Sequence, residues 1–260
     1  MVDSRPAVKD LLVAEGIAKQ FGGIQALSDV SFDVLAGEAV GIVGPNGAGK
    51  TTLFNCLLGL EEIDSGTVRF DGTRIDRLPV WKRAQLGIGR TYQRMELFTG
   101  MTVADHLLVA EQAHTGSFRL WRDLLHRGGP TQAELRHVER VLELLGLDEL
   151  ADRPVDGLGL GHARLVELGR AMMGRPRLLM LDEPSSGLDV TETARLGDIL
   201  ADVRASEGTA VVLVEHDLHL VEEVVDRLFV LNFGRILASG PVDEVMSDAE
   251  VRRAYLGTRA

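Results

Sequence analysis

Residues 37–59, GEAVGIVGPNGAGKTTLFNCLLG, constrain this chain more than any other stretch. An apolar run, a glycine-rich loop and a helical pattern follow in that order, and Gly44 to Thr51 fit G-x-x-x-x-G-K-[ST] without a gap. The order predicts a buried strand, a phosphate loop and a helix whose N-terminus faces the phosphates. Gly44, Pro45, Asn46, Gly47, Ala48 and Gly49 form the loop, whose main-chain N–H groups converge on the phosphates. Lys50 reaches the β and γ oxygens as a point charge, the Thr51 hydroxyl ligates Mg²⁺, and Thr52 completes the phosphate-binding set.

A loop of this kind needs acids. In LLMLDEP, Asp182 and Glu183 stand side by side at the end of an apolar run, at the rim of a sheet. Beside a phosphate loop the pair divides the labour: Asp182 holds Mg²⁺, directly or through water, and Glu183 takes a proton from the attacking water. Gln93 ends GIGRTYQ, where its amide reaches the Mg²⁺ or the water. His216 ends TAVVLVEH, where it bonds the γ-phosphate or orients the water.

The Val/Leu/Ile runs at 177–183 and 209–216 are apolar throughout, as in strands covered on both faces of a parallel sheet, and helical patterns at 190–206 and 218–225 alternate with them. This predicts an α/β fold. LLVAEGIAKQF, VSFDV and GTVRFDG read instead as antiparallel strands beside the parallel core. Residues 93–175 are helical in pattern, an insertion into that core. The expected division is 1–92 with 176–238 as the nucleotide-binding core, 93–175 as the helical part and 239–260 as a tail. In that tail a Ser-Gly-Pro turn precedes two short helices, the last capped by Ser247 and Glu250.

A net charge of −11 and a pI near 5.1 argue against nucleic acid as the partner. The cluster of Lys82, Arg83, Arg90 and Arg94 reads as a solvated face, with a local basic patch as the alternative. The single cysteine, Cys56, permits no intrachain disulfide. Neither a signal-peptide pattern nor a membrane-spanning apolar run is evident, so a soluble cytoplasmic chain is expected. In AHTGSFRLWRDLLHRGG, Phe118, Trp121 and Leu125 share a helical face that either meets a membrane or permease or folds back on the helical part.

A second glycine loop, GLGLGHARLVELGRAM at 157–172, opens a helix packed by Leu165, Leu168 and Met172. Its free N–H groups and the helix dipole suit an anion, although the chain already has a stronger phosphate loop.

The order Phe21, GPNGAGKTT, Gln93, Gly157, LLMLDEP, SSGLD and His216 resembles the ATP-binding cassette (ABC) ATPases over nearly the whole chain. The resemblance implies a P-loop NTPase core with a parallel sheet, an antiparallel β subdomain and an inserted helical subdomain, binding ATP and Mg²⁺. It places Phe21 on adenine, Gln93 in the Q-loop, Asp189 in the D-loop and His216 as the switch histidine. Leu158, Gly159, Leu160, Gly161 and His162 occupy the frame of the signature LSGGQ, with Gly159 where the family has Ser and His162 where it has Gln. In the family that loop serves ATP held by a second subunit, the two cassettes pairing head to tail.

GIGRTYQRMELFTGMTVADHLLVA and the ending EVRRAYLG are similar to the branched-chain amino acid import ATPases. This likeness implies a peripheral subunit on the cytoplasmic face of the membrane, under two permeases, with a second ABC ATPase subunit, identical or not, and a substrate-binding protein. Lipid-exporting and urea-type cassettes share parts of the same tail. A soluble P-loop kinase needs neither Glu183 nor the 157–162 loop.

Overall fold

The computed structural model of the chain describes residues 9–91, 97–114, 129–216 and 218–256, with Tyr255 and Leu256 described by their backbone alone. Gln93 and the stripe of Phe118, Trp121 and Leu125 lie outside the described residues.

The described residues open with two long strands, β1 (Asp10–Phe21) and β2 (Ile24–Leu35), followed by β3 (Ala39–Val43) and α1 (Lys50–Leu58). Then come β4 (Ser65–Phe70), β5 (Thr73–Arg74), the short α2 (Val80–Gln85) and β6 (Ile88–Arg90). Among the described residues the α-helices that follow are α3 (Val103–His114), α4 (Gln132–Leu145) and α5 (Leu160–Met172). The rest is β7 (Leu178–Asp182), α6 (Val190–Glu207), β8 (Ala210–Val214), α7 (Leu218–Val224), β9 (Arg227–Asn232), β10 (Arg235–Pro241), α8 (Val242–Ser247) and α9 (Ala249–Leu256).

These strands make two sheets, antiparallel β2-β1-β4-β5 and a larger one in the order β10-β9-β3-β8-β7-β6, parallel except for β10. The expected division into antiparallel and parallel strands holds. Every residue of β3, β7 and β8 is buried, because both faces of the larger sheet are covered. Alternate side chains serve different cores: Leu179, Leu181, Val211 and Leu213 join the helices, while Leu178, Met180, Val212 and Val214 join α1 and the antiparallel sheet. Asp182 continues the second row, so strand parity aims it toward the α1 side.

Helix boundaries follow local chemistry. Thr131 and Glu134 form a capping box at the start of α4, and Asp189 and Glu192 form one at the start of α6. Gly146 and Gly208 end the same two helices in the left-handed conformation.

Three local expectations are corrected. Ser239, Gly240 and Pro241 do not turn; they pair with Phe229, Leu228 and Arg227 as the end of β10. The cap of α9 is Asp248, whose carboxylate accepts from the N–H groups of Glu250 (2.6 Å) and Val251 (3.2 Å), while the Ser247 hydroxyl donates back to the Glu244 carbonyl. Arg83 is no part of a solvated face. It is 2% exposed and its guanidinium donates to the carbonyls of Cys56, Leu57, Asp76 and Leu78, closing the orphan C-terminal end of α1.

Candidate functional site

The phosphate loop joins β3 to α1 and is braced from behind by the β9–β10 hairpin. The Gly234 N–H donates to the Ala48 carbonyl (2.8 Å), and the Gly234 carbonyl accepts from the Ser28 N–H (2.8 Å). Gly44 lies so close to the same hairpin that a Cβ there would sit 2.1 Å from the Leu231 carbonyl oxygen, at a φ of 155° that side chains avoid. A residue larger than glycine cannot occupy that position without moving a strand. Inside the loop the Lys50 ammonium donates to the Gly44 carbonyl at 2.7 Å and the Pro45 carbonyl at 3.3 Å. Burial lowers the Lys50 pKa, against the attraction of Glu183 and Asp182, which raises it. Thr51 is exposed at the start of α1 and Thr52 half-buried behind it.

Strand parity and backbone strain separate the two acids. Asp182 ends β7 buried, and its Oδ1 has no hydrogen-bond partner. Burial, then the charge of Glu183, pushes its carboxyl up to about 6. Glu183 leaves the strand at a φ of 48°, left-handed and unusual for a residue with a side chain. Its N–H donates to the Val214 carbonyl at 2.8 Å, so β8 grips the turn. The redirected carboxylate has its Oε1 4.0 Å from His216 Nδ1, and that ring is 61% exposed at the end of β8. The ends of β3, β7 and β8 therefore bring together Lys50, Asp182, Glu183 and His216, an ammonium, two carboxylates and an imidazole at the carboxyl rim of a parallel sheet.

Sequence reasoning missed Glu215. It is fully buried, and its two oxygens accept from the Ser185 N–H (2.9 Å) and the His216 N–H (3.1 Å). The only signal was its place between an apolar run and His216.

Phe21 stands at the tip of the β1–β2 hairpin, 43% exposed, with the Lys19 ammonium 5.0 Å from its ring centroid. The 158–162 loop lies against the front of α6. Gly159 is the N-cap of α5 with no side-chain cap, and a Cβ on it would meet nothing within 4 Å. Gly161 is the opposite case: its Cβ would fall 2.5 Å from Glu192 Oε1, the capping-box partner of Asp189. Leu160 stands at the third letter of the LSGGQ frame, where that motif has glycine, and its Cδ2 fills the space over Gly187. His162 follows, half-buried in the first turn of α5.

Among the described residues no group of three or more His, Cys, Asp or Glu side chains could hold a metal ion, so a cation at Asp182 would take its remaining oxygens from a hydroxyl, phosphate or water.

Comparison with known proteins gives the family. The family described as ABC transporter matches residues 27–186, and that of the branched-chain amino acid ATP-binding cassette transporters matches residues 235–260. The high-affinity branched-chain amino acid transport ATP-binding protein LivG of Salmonella typhimurium is 40% identical, over 95% of this chain and 98% of LivG. BraF of Pseudomonas aeruginosa, of the same description, is 38% identical over 98% of this chain and 99% of BraF. An ATP-binding cassette of an ABC transporter, solved in its ADP conformation, superposes with a TM-score of 0.85 at 32% identity, covering 96% of this chain and 99% of that one. The chain belongs to the ABC transporter family as one of its ATP-hydrolysing cassettes, in the group that includes LivG and BraF.

Proposed function

We propose that this cassette powers uptake of branched-chain amino acids, bound under membrane permeases on the cytoplasmic face and paired with a second ATPase subunit. The observation that carries the chemistry is the convergence of Lys50, Asp182, Glu183 and His216 around one phosphate loop. The substrate rests on the near full-length likeness to LivG and BraF and on the matched segment 235–260, which favour import over the lipid-export reading. No described helix is long and apolar enough to cross a membrane.

Magnesium fits the residues present, because the buried Asp182 Oδ1 lacks a partner and Thr51 offers a second hard oxygen. Bound there, the cation would neutralise charge developing on the phosphates. The loop N–H groups hold the triphosphate, and Lys50 exchanges its carbonyl partners for β and γ oxygens. Glu183 takes a proton from the water that attacks the γ-phosphorus, and His216 orients that water or holds the γ-phosphate. Gln93, on the expected Q-loop, contributes to the same centre. Phe21 stacks on adenine, and Leu158 to His162 with Asp189 meet nucleotide held by the opposite cassette. Residues 1–92 with 176–238 act as the nucleotide-binding unit and 93–175 as the part that carries motion to the permeases.

Glu183→Gln tests the centre. With ATP and Mg²⁺ it binds nucleotide, stops hydrolysing and elutes as a closed dimer with its companion cassette; a persistent monomer with undiminished hydrolysis overturns the role of Glu183. Leucine, isoleucine and valine uptake into proteoliposomes holding the complete transporter tests the substrate, and ATP-driven uptake of none of them refutes it.

A further inference from the structure

We propose that Glu215 is a positioning residue for hydrolysis, clamping the turn that carries Glu183 to the strand end that carries His216. The inference rests on the reading of Glu183 and His216 given above.

Glu215 ties three strand ends together. Its N–H donates to the Ile42 carbonyl on β3 (3.3 Å), just ahead of the phosphate loop. Its Oε1 accepts from Ser185, two residues beyond Glu183, and its Oε2 accepts from His216. With Val214 holding the Glu183 N–H and the Glu183 carbonyl accepting from Ser186 at 3.1 Å, the Glu183 turn is held from both sides.

The turn needs that grip. Two adjacent residues of a strand point to opposite faces, so an extended Glu183 would face away from Asp182 and the phosphate loop. The left-handed φ of 48° redirects it toward His216. A non-glycine residue keeps such a conformation only where its surroundings over-determine it. Glu215 supplies the bond on the far side of the turn, and it is 0% exposed, so no water can replace a lost acceptor without entering the core. Both carboxylate oxygens are used, which a single-acceptor side chain cannot reproduce.

Glu215→Gln keeps the volume but sets an amide NH₂ against one of the two N–H donors. Glu215→Asp keeps the charge but withdraws it from Ser185. In the purified transporter complex we expect either change to lower kcat about 10- to 100-fold while the KM for ATP moves less than about threefold. Because Glu215 acts through Glu183 as well as His216, adding Glu215→Gln to the combined Glu183→Gln, His216→Ala variant lowers the residual kcat by less than about threefold. Single-turnover measurement gives the sensitivity for that comparison. Wild-type kcat in both Glu215 variants, losses that multiply in the triple variant, or an activity loss matched by equal losses of ATP binding and folded protein would each overturn the proposal. Wild-type turnover in both Glu183→Gln and His216→Ala would remove the underlying reading as well. Lost turnover in those two beside wild-type turnover in the Glu215 variants removes this proposal alone.

Discussion

Restoring serine at position 159 separates the signature loop's work in the dimer from its work in the monomer. Gly159 has a φ of −64° and a ψ of 160°, ordinary for any residue, and a Cβ there meets nothing within 4 Å. Gly159→Ser therefore adds no strain. As an N-cap, serine improves on glycine by only a few tenths of a kcal/mol, so the melting temperature should move by no more than about 2 °C. In the proposed closed dimer the same hydroxyl should donate to an ionised phosphate oxygen, a contact worth about 1.5–3 kcal/mol, or roughly 10- to 150-fold. Analytical ultracentrifugation at saturating ATP, with Glu183→Gln blocking hydrolysis and the companion cassette supplied, measures the dissociation constant. Gly161→Ala is the internal control: its Cβ would displace the Glu192 carboxylate from the Asp189 cap, so the dimer should weaken. Equal dissociation constants for Gly159→Ser and wild type, with unchanged melting, refute a phosphate-facing role for the loop.

Two further predictions concern the body of the cassette. Arg83→Met leaves four carbonyls without their guanidinium, two of them at the end of α1, and should cost about 3–5 kcal/mol in urea unfolding; a loss under about 1 kcal/mol would contradict the capping role. Burial pushes the Cys56 thiol from 9.0 up to about 11, so in the folded chain it stays protonated where the unfolded chain ionises. Stability is then full below pH 9.0 and falls by about 2–3 kcal/mol as pH rises to about 11, a decline that Cys56→Ala should abolish in the urea midpoints.

Where chemistry is local, the sequence was readable. The phosphate loop, the acid pair and the buried strands are each written in consecutive residues whose periodicity or spacing has one physical meaning. The α4 and α6 boundaries are also local, with box and glycine in place. What escaped depends on partners distant in sequence. Arg83 looked solvated because its acceptors belong to another helix and another turn. Glu215 went unread because Ser185 is brought to it only by the β7–β8 pairing. At α9 two good caps stand side by side, and the structure uses Asp248 while the Ser247 hydroxyl turns back to the Glu244 carbonyl. At 158–162 the family resemblance supplied the frame, but not that Gly161 and Leu160 are sized to the front of α6.

The tie between Gly234, Ala48 and Ser28 has a practical meaning for anyone modifying this protein. The two-residue turn at Phe233 and Gly234, with φ values of 43° and 73°, looks like a free surface tip, and Phe233 is 86% exposed. It is nevertheless the back wall of the nucleotide cradle. An epitope tag spliced there, or new chain termini cut there by circular permutation, would loosen the phosphate loop from behind and spoil ATP affinity without touching a single residue of the motif.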